Sequence, residues 1–385
     1  MNWNRKLIKL PPAPKKPNFT KWFVSLIIVF VFSSLILYFE NKYNYLEVFY
    51  INPWVVIALP VSVLFFCFLI IIFKFMNENS KHNFLIIEKT LSDEQWESWG
   101  DRGLGVLAHY TLLPDKVTAS FVASENSDDY ESFNGLVRKI DYINEDVFES
   151  YLGFLLGLSK STLSEIKSDT LIDVFIFTDN NDSKTASTIL EKAWETINGN
   201  SIKLSSVSVF DQFNSDTMGS WLSDGGESLK LVLVEQVNGG NEYSDGLSIF
   251  LMATDDVCEK FKLDCIGEIK RPCLLPANFT DKELDGFFET QKASNESENI
   301  IISDVKTYPI IPELLTYSFK NNMKLSTEYL YVLEQFMGLT GPFSTWFAVG
   351  FALDIAVSTD QPGVFLARQP EGVLIGTITT WKNND

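Results

Sequence analysis

Apolar and polar positions change pattern several times along the chain. Trp22–Phe39 (WFVSLIIVFVFSSLILYF) and Val55–Phe73 are uncharged throughout, and each is as long as a bilayer-crossing helix, which needs roughly 17–25 residues. Trp22, Tyr38, Tyr50 and Trp54 stand at the ends of these runs, where interfacial anchors belong. Further on, short apolar runs alternate with amphipathic stretches. LIDVFIFTDN (Leu171–Asn180) predicts a buried strand, followed by a helix over Ser183–Ile197 and a strand over Ser201–Phe210. Helix Thr217–Leu222, strand Leu229–Gln236 and strand Gly246–Thr254 continue the theme. Helix Asp281–Gln291, strand Asn299–Asp304, helix Ile311–Phe319 and helix Thr327–Phe336 repeat it more loosely. Alternation of this kind predicts an α/β domain with a largely parallel or mixed sheet under covering helices.

One stretch has no polar face. LEQFMGLTGPFSTWFAVGFALDIAV, Leu333 to Val357, reads as a turn through Gly338 and Gly341 running into a helix. Thr340 is placed to cap it and Pro342 to sit in the first turn. Trp346, Phe347, Val349, Phe351, Leu353, Ile355 and Val357 then point all ways, with Asp354 the single charge. A helix apolar on every side must be buried on every side. It is too short for a membrane span, so the expectation is a large core around it. Two short strands joined at Pro370–Gly372 close the pattern. Nearer the start, Trp96, Trp99 and Leu104 lie near helical spacing behind a possible cap at Ser92. Glu125–Glu131 reads as an acidic surface loop and Val147–Ile166 as a helix.

Charge sets orientation and excludes one class of partner. Arg5, Lys6, Lys9, Lys15, Lys16 and Lys21 precede the first span without an acid among them, and Lys74 and Lys81 follow the second. The positive-inside rule then keeps both termini in the cytoplasm of a bacterial inner-membrane protein with two spans. The net charge of −19 argues against nucleic acid, because nothing would offset phosphate repulsion. Cys67 lies within the second apolar run; Cys258, Cys265 and Cys273, with no His nearby, do not have zinc-site spacing and read as free thiols. No cofactor or metal is expected: Gly-rich phosphate loops, HExxH and GxSxG are all missing. Asp173, Asp179, Asp182 and Asp304 form possible carboxylate pairs, although turns after strands favour Asp for local hydrogen bonding. The expected organisation is a basic arm and hairpin over residues 1–80 and two α/β halves over 81–275 and 276–385.

The turn before the apolar helix resembles the segment V-K-S-N-x-G-H-x-x-G-A-A-G of ketoacyl synthases in the thiolase superfamily. Gly338 matches its first glycine and Gly341 roughly its second; Ser344 takes a small-residue position, while Leu339 stands at the His position and Glu334 at the Lys position. The resemblance covers roughly Leu104–Trp381 and implies a layered α/β/α/β/α domain of two related halves. It also implies where a nucleophilic Cys would be: counting back from Gly219 gives Asp211 or Gln212. The other family His falls at Val305 or Lys306, and the two histidines of the chain, His82 and His109, lie elsewhere. The resemblance thus implies a pseudoenzyme without catalytic residues. Two functions fit: a membrane-anchored scaffold or adaptor, or an acyl-binding accessory subunit similar to chain length factors, which often carry Gln in place of the Cys, as Gln212 does here. A thiolase-like domain on a membrane hairpin also resembles proteins found beside bacterial type VI secretion effectors. The expected partner is then such an effector or a second thiolase-like subunit. Family dimers join by edge strands, implying a homo- or heterodimer through SIKLSSVSVF; alternatively the helix around Trp96 covers that edge.

Overall fold

The computed structural model describes residues 3, 8–43, 53–124, 132–143, 150–166, 170–180, 183–198, 202–223 and 225–381. The acidic run Glu125–Glu131, Asp182 and the expected helix start at Val147 lie outside the described residues. Residues divide into two units, one over Lys6–Gln95 and the other comprising Trp96–Asp385 with the N-terminal Trp3.

In the first unit the apolar runs form helices α1 (Phe19–Tyr43) and α2 (Pro53–Asp101), both long and apolar enough to cross a membrane. Their large apolar side chains are exposed, among them Phe23, Phe32, Trp54, Phe66 and Phe73. α2 has 49 residues, roughly 73 Å at the usual rise, so only its first part has the composition of a span. The second unit begins at Trp96, within α2.

α2 keeps Trp96 and Trp99 but ends at Asp101, so Leu104 lies on a strand rather than a helix: β1 (Gly103–Leu112), followed by the single turn α3 (Ala119–Val122). Helices α4 (Tyr151–Leu158) and α5 (Lys160–Glu165) lead to β2 (Leu171–Thr178), α6 (Ser183–Asn198), β3 (Lys203–Phe210), α7 (Ser215–Ser223), β4 (Leu229–Gln236) and β5 (Gly246–Thr254). Next come α8 (Asp255–Phe261), β6 (Gly267–Lys270), β7 (Cys273–Pro276), α9 (Asp281–Thr290), β8 (Asn299–Ile302) and α10 (Ile311–Lys320). The expected helix over Thr327–Phe336 is instead a 3-10 turn, strand β9 (Leu330–Val332) and a short helix α11 (Leu333–Met337). The apolar helix is α12 (Ser344–Thr359), and β10 (Gly363–Gln369) and β11 (Gly372–Thr380) end the fold.

The sheet contains the same arrangement twice. β3, β2 and β4 are parallel neighbours, and β5 and then β1 follow antiparallel. β9, β8 and β10 are likewise parallel, with β11 and then β7 antiparallel. β6 joins the halves by pairing with both β1 and β11. Under this correspondence α7 and α12 occupy equivalent places, each following an edge strand. Both carry buried faces into a shared central core with Phe177, Val234 and Phe250 from one half and Ile301, Phe365 and Leu374 from the other. A second apolar cluster lies beneath α4 and α6, and a third beneath α9 and α10. The result is an α/β/α/β/α stack, which explains why α12 has no polar face. Trp346 on α12 is fully buried among the rings of Phe177, Phe213, Trp221 and Phe250, with centroids 5.3–6.0 Å away.

The Trp96 helix does not cover the β3 edge. Trp96 stacks on Trp99 at 4.8 Å, Trp3 meets Trp99 edge-on at 5.0 Å, and the Arg271 guanidinium lies 4.4 Å from the Trp99 ring. Trp3 donates its indole N–H to the Pro272 carbonyl at 3.1 Å and also faces Phe287. Phe287 belongs to the second half and Arg271 and Pro272 to the connection between β6 and β7, whereas β3 ends the sheet on the first half.

Candidate functional site

Helices α7 and α12 begin at neighbouring places because the strands before them end on the same side of the stack. Between these ends lies a pocket of about 490 Å³. Gln212 and Phe213 reach it from the turn after β3, Asp304 and Lys306 from the turn after β8, and Leu339 to Pro342 from the turn before α12. Three of the five positions singled out in the sequence, Gln212, Lys306 and Leu339, therefore meet in one cavity. Asp211 is exposed and does not line it. Val305 also lies outside the lining; its N–H donates to Glu334 Oε2 at 2.9 Å.

Glu334, read in the sequence as the motif's Lys position, serves as a clip. It is buried, and its other oxygen accepts the Gly135 N–H at 3.2 Å, so one carboxylate joins three chain segments. The turn it supports needs glycine at 338: φ is +86°, and a Cβ there would lie 2.5 Å from the Leu136 carbonyl oxygen. Leu339 donates its N–H to that carbonyl at 2.8 Å and accepts the Ser244 N–H at 2.8 Å. Gln236, at the end of β4, completes the turn by accepting the Phe343 N–H at 3.1 Å and donating to the Ser244 carbonyl at 2.8 Å. It satisfies a donor at the head of α12, where the N-cap is Phe343 rather than the expected Thr340 and makes no side-chain cap bond.

Asp304 is buried and accepts hydroxyl hydrogen bonds from Ser303 and Thr307 at 3.1 and 3.3 Å. Arg368 and Gln369 complete the wall, Gln369 donating to Thr345 Oγ1 at 2.7 Å. Asp179 takes the local role expected of a turn residue, accepting from Asn238 and Tyr243. Asp173 lies at the other end of the sheet, paired with Lys230. Among the described residues no group of three or more His, Cys, Asp or Glu side chains is placed to hold a metal ion.

His109 was singled out only for its distance from the motifs. It proves to be a buried strut between β1 and α12, with Nδ1 3.0 Å from Asp354 Oδ1 and Nε2 2.7 Å from Thr111 Oγ1. Gly350 makes this approach possible, since a Cβ there would lie 2.5 Å from His109 Nε2.

Glu235 is the most perturbed acid near the strand ends. Burial raises it from an ordinary 4.5 to about 7; Asp179 adds to the effect and the Thr178 hydroxyl, 3.2 Å away, opposes it. The folded chain therefore holds a proton that the unfolded chain releases, and stability falls as pH rises from about 4.5 to about 7. Glu235→Gln is expected to flatten this slope in thermal melts; an unchanged slope would assign it to other groups.

No protein-family profile matches the chain, and no curated protein matches it. Solved structures do. The structure of a type II polyketide synthase acyl-carrier protein in complex with its ketosynthase bound to the hexaketide (AntDE:AntF) superposes with a TM-score of 0.51 at 11% identity, over 73% of this chain and 100% of that one. Ketosynthase twelve of the bacillaene polyketide synthase from Bacillus amyloliquefaciens gives 0.49 at 9%, over 73% of each chain. Xanthomonas campestris OleA bound with cerulenin gives 0.48 at 11%, over 74% of this chain and 99% of that one. The fold is thiolase-like.

Proposed function

We propose that this chain is a membrane-anchored scaffold that uses a thiolase-like domain to bind protein and performs no thioester chemistry. The pocket lining supports this most directly. The motif resemblance puts the thiol at Asp211 or Gln212 and the two imidazoles at Val305 or Lys306 and at Leu339; Gln212, Lys306 and Leu339 line the pocket, and no Cys or His is among its lining residues. Acyl condensation by that route requires a nucleophile, a base and oxyanion donors. Purified full-length protein in detergent is expected to release no thiol from acyl-coenzyme A or acyl-carrier thioesters above the buffer rate. Turnover abolished by Gln212→Ala would overturn the reading.

Gln212 facing the pocket favours a second reading, an acyl-binding accessory paired with an active synthase. Under it, adding the chain would change a ketosynthase's product length. For a scaffold, the open edge of β3 suits a second copy or another thiolase-like subunit, and confinement of the anchor to one surface raises the effective concentration for pairing. Cross-linking in intact membranes before affinity purification separates these partners from a type VI secretion effector.

In this reading α1 and α2 cross the bacterial inner membrane. The contacts of Trp3 with Trp99 and Pro272 fit an N-terminus and an α/β unit on one side, and the basic arm supports a cytoplasmic assignment for that side. A C-terminal alkaline phosphatase fusion is expected to be inactive and a fluorescent protein fusion bright; the opposite result would reverse the topology.

A further inference from the structure

Cys258 and Cys265 lie away from the pocket. Cys258 is buried on α8, Cys265 is half-buried in the connection to β6, and their sulfur atoms are 3.3 Å apart. Backbone bonds on either side hold them there. Lys262 ends α8 in the left-handed region at φ 52°, the Leu263 N–H donates to the Cys258 carbonyl at 3.0 Å, and the Ile266 N–H donates to the Val106 carbonyl at 2.7 Å. Gly105 on β1 leaves room for the pair, because a Cβ there would lie 2.5 Å from Cys258 Sγ and 2.9 Å from Cys265 Sγ. Closing to a disulfide bond length needs an approach of roughly 1.3 Å.

We propose that Cys258 and Cys265 form an oxidative modification site, a thiol pair that closes to an intramolecular disulfide on meeting a peroxide. Cys265, the more accessible sulfur, attacks the peroxide as thiolate. An S–O bond forms, the O–O bond breaks, and the leaving hydroxide takes a proton to become water. The Cys258 sulfur then attacks the Cys265 sulfenic acid; the S–S bond forms, the S–O bond breaks, and a second water leaves with the Cys258 proton. Two thiols are oxidised by two electrons and one peroxide is reduced. The product ties α8 to the segment entering β6, the strand that joins the two halves of the sheet.

The test uses the full-length Cys67→Ser chain in detergent, treated with hydrogen peroxide. The mass is expected to fall by about 2 Da, with one peptide pair linking positions 258 and 265. Cys273 should stay alkylatable, and dithiothreitol should restore both lost thiols. Adding Cys258→Ser should leave Cys265 as a sulfenic acid that dimedone labels. A Cys265 that is oxidised to sulfinic acid while Cys258 remains alkylatable would overturn the proposal. So would a cross-link to Cys273, or a pair left inert at peroxide levels that oxidise free glutathione.

Discussion

Replacing Lys230 with alanine is expected to destabilise the α/β unit by about 2–4 kcal/mol, discounted from the roughly 3–5 kcal/mol of a fully buried pair because Asp173, the charge left without its partner, is only partly buried. Lys230 is only 4% exposed on β4, and its ammonium lies 2.8 Å from Asp173 Oδ2 on the adjacent β2. Ser206 and Ser228 donate to the same carboxylate. Burial acts to raise Asp173, but the hydrogen bonds and charge of Lys230, with the two serines, outweigh it and hold the carboxyl at about 2. A folded value below the unfolded one gives stability that is complete above about pH 4 and is lost as pH falls toward 2. Urea unfolding of wild type and Lys230→Ala at neutral pH checks the magnitude. A loss under 1 kcal/mol would show that water reaches the pair. The double change Lys230→Met with Asp173→Leu should recover most of the loss, because it removes the unpaired charge together with the pair.

Trp346→Ala should be comparably damaging, at about 3–5 kcal/mol for a large core ring. The indole is fully buried between the two halves of the sheet and touches rings from β2, β5 and α7 as well as Phe213 beside the pocket. Its N–H has no hydrogen-bond partner, so Trp346→Phe should be far milder: it gives up some volume and also removes a buried unsatisfied donor. The measurement is a pair of thermal melts on protein in detergent. Equal losses for the two variants would mean that the indole nitrogen has a partner, or that the site tolerates no change of shape. Because Phe213 packs on the same ring, the alanine variant should also loosen the pocket wall, visible as faster hydrogen exchange in the turn before α12.

The two membrane-length helices, the strands over Leu229–Gln236 and Gly246–Thr254 and the burial of α12 were legible along the chain, because each follows from local apolar spacing. The convergence of Gln212, Lys306 and Leu339 was legible only through a resemblance of motifs. What the sequence could not show depended on partners distant in the chain. β1 is a central strand, but its two glycines and the lack of a clear apolar–polar alternation do not signal one; it becomes a strand because β5 and β6 pair with its two sides. The expected helix over Thr327–Phe336 is broken because Leu330–Val332 finds a parallel partner in β8, whose ladder overrides local helical preference. Ser92 gave no start signal that mattered, since α2 runs through it from the apolar segment. Glu334, Gln236 and Lys230 look like ordinary polar residues in sequence. Each acquires its role from groups that only the folded chain brings within hydrogen-bonding distance, where burial makes an unmet partner expensive. By itself, then, the sequence determined which segments must leave water, while tertiary structure decided which strands pair and which buried polar groups meet, because those contacts join residues far apart in the chain.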